Sequence, residues 1–366
     1  MFKRILTGTL VASMTLGSTM AVAAGKYTKK ETEIQATQTA LTKPVQAPKD
    51  TKVRPTINAE DVFGGMGEKV KSVTDAQIRV LRRLIDNTDD KDPDKPDLLF
   101  RMAELYAEQQ RYYDFRAREL DQKIFDAGNK GDAPAADRFR AQQTDFLKRK
   151  QQWLLAAVKE YLEVAEHPDK YSSYKRMDEV LFDLAYLLQQ VKKEDAARKF
   201  FKQLIKDYPK SKFIPDAFLS FGEYFFDQKD IENALKFYDR VMQYPESRVF
   251  GYAKYKEGWC YYNLGDFKQA LATFVSVVEL SQKGGGTAHE RSNRLALAKE
   301  AKKDIVRAYA RVPGANPEKA WPFFQRTGGQ YAMTMMEQLG ELYNGQGMFP
   351  QSIKVYRNLM ALAPTS

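Results

Sequence analysis

Between Arg176 and Gln282 one unit of 36 to 37 residues is written three times, and this repetition constrains the fold more than any other feature of the chain. Ala185, Gly222 and Gly258 share one position of the unit, and Ala197, Ala234 and Ala270 follow twelve residues later. Phe201, Tyr238 and Phe274 come four residues further on, and Leu204, Val241 and Val277 three beyond those. A small residue is needed wherever two helix axes approach closely, and an aromatic one turn later fills the space beside the contact. The pattern therefore describes a packed helical hairpin. A unit of this length cannot bury its apolar faces alone, so successive hairpins must stack, which gives a solenoid.

The same grammar extends in both directions. Asp97 to Tyr106 carries Ala103 at the first small position, but the partner Ala157, with Tyr161 and Val164 behind it, arrives 54 residues later instead of twelve. The first hairpin thus contains an insertion over 107–153. Its arms read as helices running to Asp126 and from Ala135 to Glu166, around the breaker Gly128 to Pro134. Arms of about 30 residues rise roughly 45 Å, so a long hairpin is expected to project near the start of the array. Tyr112, Tyr113 and Phe115 on one arm and Phe139, Phe146 and Trp153 on the other are placed either to zip the arms together or to serve as a docking surface. Beyond the three regular units, Val306, Tyr309, Ala320 and Phe324 mark a fifth, and Gly340, Tyr343, Ser352, Tyr356 and Leu359 a sixth. Ile353, Tyr356, Leu359 and Met360 are then expected to be uncovered, available to a partner, to another copy or to further chain.

Ahead of the array, Met1 to Ala24 has Lys3 and Arg4, an apolar run from Leu10 to Leu16, and Ala21-Val22-Ala23-Ala24. That is the layout of a secretory signal peptide, and its apolar core is too short to span a bilayer. An exported protein, periplasmic or outer-membrane associated, is expected, with no transmembrane segment. Residues 25–73 are rich in Lys, Thr, Gln and Pro and read as a basic, disordered linker; a lead-in helix over 74–96 follows, capped by Thr74 and Asp75. The array occupies 97–366. Net charge is +10, of which residues 26–56 supply +4, seven Lys or Arg against Glu31, Glu33 and Asp50. Such a tail serves as a solvated tether or touches anionic envelope polymer. Nucleic acid is not expected, because the repeats show no basic face interleaved with stacking aromatics.

Catalytic grammar is missing. His167 and His289 are the two histidines, far apart, with no companion Cys or carboxylate at metal-ligand spacing, so no metal site is expected. Gly284-Gly285-Gly286 lacks the Lys and the strand of a phosphate loop, and no nucleophile elbow or zinc-protease helix occurs. Cys260 is alone inside a repeat helix and reads as a small buried hydrophobe. No enzyme and no cofactor are expected.

Gly258-Trp259-Cys260-Tyr261-Tyr262-Asn263-Leu264-Gly265-Asp266-Phe267-Lys268-Gln269-Ala270 closely resembles a tetratricopeptide repeat. The resemblance covers 97–364 and implies an all-α fold, a right-handed α-solenoid of about six hairpins, and a protein-binding scaffold. Asp97 to Tyr106 is similar to the opening repeat of large envelope proteins, some of them in gliding-motility machines; others of this style act in outer-membrane assembly or division. In such families the first helix of each repeat lines a concave groove. Carried onto this chain, the resemblance gives Phe182, Tyr186, Gln189 and Gln190, then Leu219, Glu223, Phe226 and Asp227, then Tyr255, Trp259, Tyr262 and Asn263. One departure is Glu257, which stands where the family has an apolar core residue and implies that Tyr255 or Trp259 turns inward instead. The reading is a periplasmic scaffold that binds a protein partner through this groove in a cell-envelope assembly. The alternatives are a cell-wall polysaccharide binder stacking sugars on the same aromatics, and an accessory subunit with no groove of its own.

Overall fold

The computed structural model describes residues 59–171, 173–282 and 287–362, with side chains from residue 71 onward except at 168, 288 and 289. The expected signal peptide and the linker up to residue 58 lie outside these residues. The described residues form helices and no strand. A first helix, α1 (Ala59–Asn87), precedes six hairpins: α2 (Lys95–Asn129) with α3 (Ala133–Ala165), α5 (Met177–Gln190) with α6 (Glu194–Asp207), α7 (Ile214–Asp227) with α8 (Ile231–Val241), α9 (Phe250–Leu264) with α10 (Phe267–Gln282), α11 (Ala288–Arg311) with α12 (Ala320–Gly328), and α13 (Ala332–Gly345) with α14 (Phe349–Leu362). A single turn, α4 (Pro168–Tyr171), links the first two hairpins. The whole is an α-solenoid with one continuous core running from Ile85 to Val355.

The small-then-aromatic pair is visible as a contact. A Cβ built on Gly222 would lie 2.5 Å from Tyr238, one on Gly258 2.7 Å from Phe274, and one on Gly340 2.8 Å from Tyr356. The aromatic ring of the second helix rests on bare backbone of the first, so these positions require glycine for close approach. Ala103 and Ala185, at the same register, are also fully buried.

Helix α1 starts at Ala59, fifteen residues before the expected Thr74, which corrects the boundary of the linker. Thr74 is buried inside the helix, and Asp75 is engaged by Lys71 at 2.8 Å and by Gln109 Nε2 at 3.0 Å, so neither caps a helix start. At the other end, the buried Lys95 donates to the carbonyls of Ile85 (2.6 Å) and Thr88 (2.7 Å), satisfying acceptors that the end of α1 leaves open. Arg82 then ties α1 to both arms of the first hairpin, donating to Tyr106 Oη on α2 and to Glu160 Oε1 (2.7 Å) on α3.

The first hairpin is an antiparallel two-stranded coil about 50 Å long. Inward positions alternate in steps of four and three: Tyr106, Gln110, Tyr113, Ala117, Leu120, Ile124 and Ala127 on α2. They meet Ala136, Phe139, Gln143, Phe146, Lys150 and Trp153 on α3, a spacing that keeps one seam facing its partner. Tyr106 packs on Trp153 (5.3 Å) and Tyr113 on Phe146 (6.1 Å), while Gln143 Nε2 donates to Ala117 O (2.9 Å) and Asp121 Oδ1 (2.7 Å). Phe115 does not join this seam; it sits two residues past Tyr113, on the outer face, and is exposed.

The contact between glycine and ring gives a direct test. Gly222→Ala or Gly258→Ala should lower stability by about 1–3 kcal/mol, because the ring has no room to retreat. Gly128→Ala, at a helical site with nothing within 4 Å, should raise it by about 0.5–1 kcal/mol. Urea unfolding of the three variants checks both signs.

Candidate functional site

The expected groove residues divide sharply by burial. Tyr186 is 53% exposed and stacks on Phe182 (6.3 Å), which itself is buried against Phe213 (4.4 Å) and Phe201 (6.2 Å). Gln189 Nε2 donates to Ser220 Oγ (2.8 Å), and Gln190 is exposed. On α7, Leu219 is half-buried, Phe226 is enclosed beneath the Lys256 ammonium (4.0 Å above its ring), and Asp227 is exposed.

Glu223 joins the third and fourth repeats. It accepts from Tyr238 Oη on α8, from Tyr252 Oη (3.3 Å) and, as an ion pair, from Lys256 Nζ (3.2 Å) on α9. Burial, and then the Glu223 carboxylate, push the Tyr238 and Tyr252 hydroxyls well above the usual phenol range, so both remain donors.

In the fourth repeat the expected platform is withdrawn into the core. Tyr255 (0% exposed) donates to Asp304 Oδ2 of α11 at 2.6 Å, and Trp259 (2% exposed) packs edge-on against Phe274 (5.9 Å) and Tyr262 (5.3 Å). The cause is α11. Its 24 residues lie along α10 and also reach α9, where Leu297 sits beside Gly251. A helix covered on several sides buries residues around most of its girth, and Tyr255, Trp259, Cys260 and even Lys256 and Glu257 are buried together. Glu257 is accommodated by Lys254 at 3.2 Å. Burial pushes the Cys260 thiol far up, so it is not a reactive thiolate at neutral pH. Tyr262 remains half-buried against Phe267, and Asn263 Nδ2 donates to Trp259 O (2.8 Å). Phe182, Phe226, Tyr255 and Trp259 therefore leave the candidate surface, while Tyr186, Gln189, Glu223, Tyr262 and Asn263 stay on or near it.

What replaces the aromatics is negative charge, which pattern reading did not assemble because the residues come from different repeats. At the joint between the first and second repeats Glu104, Glu179 and Asp183 lie around Arg176, which pairs with Glu179 (3.0 Å) and approaches Glu104 (3.9 Å) while covering the Phe100 ring (3.8 Å); Glu104 is also paired with Arg101 (3.1 Å). Tyr161 Oη donates to Asp183 Oδ2 (3.2 Å). Burial, then the charges of Glu179 and Glu104, push the Asp183 carboxyl up to about 6. At the next joint an open cleft of about 440 Å³ is lined by Gln189, Glu194, Asp195, Glu223, Asp227 and Gln228, with Arg198 laid over the Tyr224 ring (3.7 Å) and paired to Asp195. Among the described residues no group of His, Cys, Asp and Glu is placed to hold a metal ion, and no helix is long and apolar enough to cross a membrane.

The family profile of the tetratricopeptide repeat matches residues 179–211 and 252–281, the second hairpin and most of the fourth. No curated protein matches the chain. Among solved structures, a tetratricopeptide repeat protein from Parabacteroides merdae ATCC 43184 is 16% identical, with a TM-score of 0.31, over 67% of this chain and 79% of that one. A chain from work on the computational design of self-assembling cyclic protein homooligomers is 12% identical, with a TM-score of 0.20, over 82% and 97%.

Asp183 supplies a pH test. Its folded value lies above the ordinary carboxylate value, so the protonated form is favoured in the fold. Its contribution is therefore greatest below about pH 4 and declines as pH rises through about 6. Asp183→Asn, which keeps an acceptor for Tyr161, should raise stability at pH 7.5 by roughly 1–2 kcal/mol and leave it little changed at pH 4. Denaturant unfolding at the two pH values reads the difference.

Proposed function

We propose that this chain is a non-enzymatic scaffold that holds an extended segment of a protein partner on the first-helix face of its repeats, within an exported cell-envelope assembly. Tetratricopeptide repeats are protein-interaction modules, and the profile matches two of the six hairpins here. The observation that carries the reading is Tyr186, more than half exposed on α5 and flanked on either side by carboxylate-rich joints. An exposed aromatic beside satisfied polar groups is the usual composition of an interface anchor.

The charge of the face supports a basic partner segment. Glu104, Glu179, Asp183, Glu223 and Asp227 lie on the first helices of a chain whose net charge is +10, with Arg101, Arg176 and Lys256 as nearby compensating cations. A segment bearing Lys or Arg complements that surface, and complementary charge sets register and rate of encounter. Export is supported by Lys3, Arg4, the apolar run from Leu10 to Leu16 and the small residues up to Ala24. Outer-membrane assembly, division and motility machines are the settings that this style of repeat suggests. A sugar-stacking role loses its support, because Tyr255 and Trp259 are enclosed.

Affinity capture from cross-linked envelopes tests the reading. Tyr186→Ala with Asp227→Lys, both at exposed sites, should preserve helicity and deplete a captured protein by about tenfold relative to wild type. Raising the salt during capture should weaken the same protein. Unchanged capture would move the binding site away from this face, to the projecting hairpin.

A further inference from the structure

The two ends of the solenoid carry matching unpartnered surfaces. On α14, Phe349, Ile353 and Met360 are half or more exposed, and Tyr356 is 38% exposed although its counterpart in the third repeat, Tyr238, is fully buried. The step between these four positions is four, three, four. On α1, Val73, Val80 and Leu84 are each half or more exposed, and with Gln77 they fall at the same four, three, four steps. Two such stripes are the two halves of one helix-to-helix seam.

An interface already present within the molecule shows what belongs there. In the third repeat the groove between α7 and α8 is filled by α9, whose Tyr252 and Lys256, four residues apart, reach Glu223. By register with Gly222 and Gly340, the residue corresponding to Glu223 in the sixth repeat is Glu341. Glu341 and Glu337, one turn apart on α13, are exposed and make no ion pair among the described residues. On α1, Arg79 and Arg83 are likewise one turn apart, exposed beside the Val80 and Leu84 stripe, and make no ion pair among the described residues. The sixth repeat offers two acids and an apolar stripe, and the first helix offers two cations and an apolar stripe.

We infer that copies of this chain associate head to tail, with α1 of one copy lying in the α13–α14 groove of the next as α9 lies in the groove of the third repeat. An end-to-end contact of two different surfaces does not close on itself, so the assembly grows with concentration unless its rotation forms a ring.

Sedimentation velocity on the full chain over a wide concentration range tests this. Wild type should give a series of species, whereas Leu84→Glu and Ile353→Glu should each remain monomeric with unchanged helicity. An equimolar mixture of these two variants keeps one intact contact and should stop at the dimer. Reversing both arginines (Arg79→Glu, Arg83→Glu) should weaken assembly by about tenfold or more, and adding Glu337→Arg and Glu341→Arg in the same chain should restore it. A wild type that is monomeric at every concentration overturns the inference. So does a Leu84→Glu chain that still dimerises while Ile353→Glu does not, which would mean that α14 pairs with itself.

Discussion

Everything in this structure depends on the close approach of two helices at a residue with little or no side chain. Tyr238, Phe274 and Tyr356 each rest on a glycine of the partner helix, at a separation that a single methyl group would violate. That contact sets the spacing within a hairpin, and the spacing fixes which residues point outward to the next one. Because each hairpin meets only its neighbours, the same local contact repeated gives an extended core in place of a closed one.

The departures from regularity determine which first-helix positions stay exposed. Helix α11 is long enough to lie over α9 as well as α10, so the fourth repeat, which reads most like a binding module in sequence, is the one enclosed. The second and third repeats, whose joints are filled by shorter helices, keep Tyr186, Gln190 and Asp227 exposed on their first helices, although Phe182 and Phe226 are enclosed there. There Tyr186 stands between two sets of carboxylates that Arg101, Arg176, Arg198 and Lys256 neutralise only in part. An acidic strip on a chain of net positive charge distinguishes this face from the remainder of the surface.

Two further features bear on assembly. The α2–α3 coil is stiffened by ring contacts and by Gln143, and anchored at its root by Arg82, so it extends the molecule sideways without loosening the array. At the ends, α1 and α14 present apolar stripes of equal period beside opposite charges. The same physics that joins one repeat to the next is thereby available between molecules.

The sequence alone determined the hairpin count, the register of small and aromatic residues and the projecting arms. These follow from short-range spacing, and a packed helical pair leaves few ways to satisfy it. The burial of Trp259 and Tyr255 and the engagement of Asp75 inside α1 were decided by tertiary structure. Each depends on what covers a helix from outside: Asp304 lies 49 residues from Tyr255, and Gln109 lies 34 from Asp75. A face position and a core position share one period along a helix. Only the neighbouring helix distinguishes them, and the acidic joints were likewise illegible because Glu104 and Asp183 meet only once two repeats are stacked.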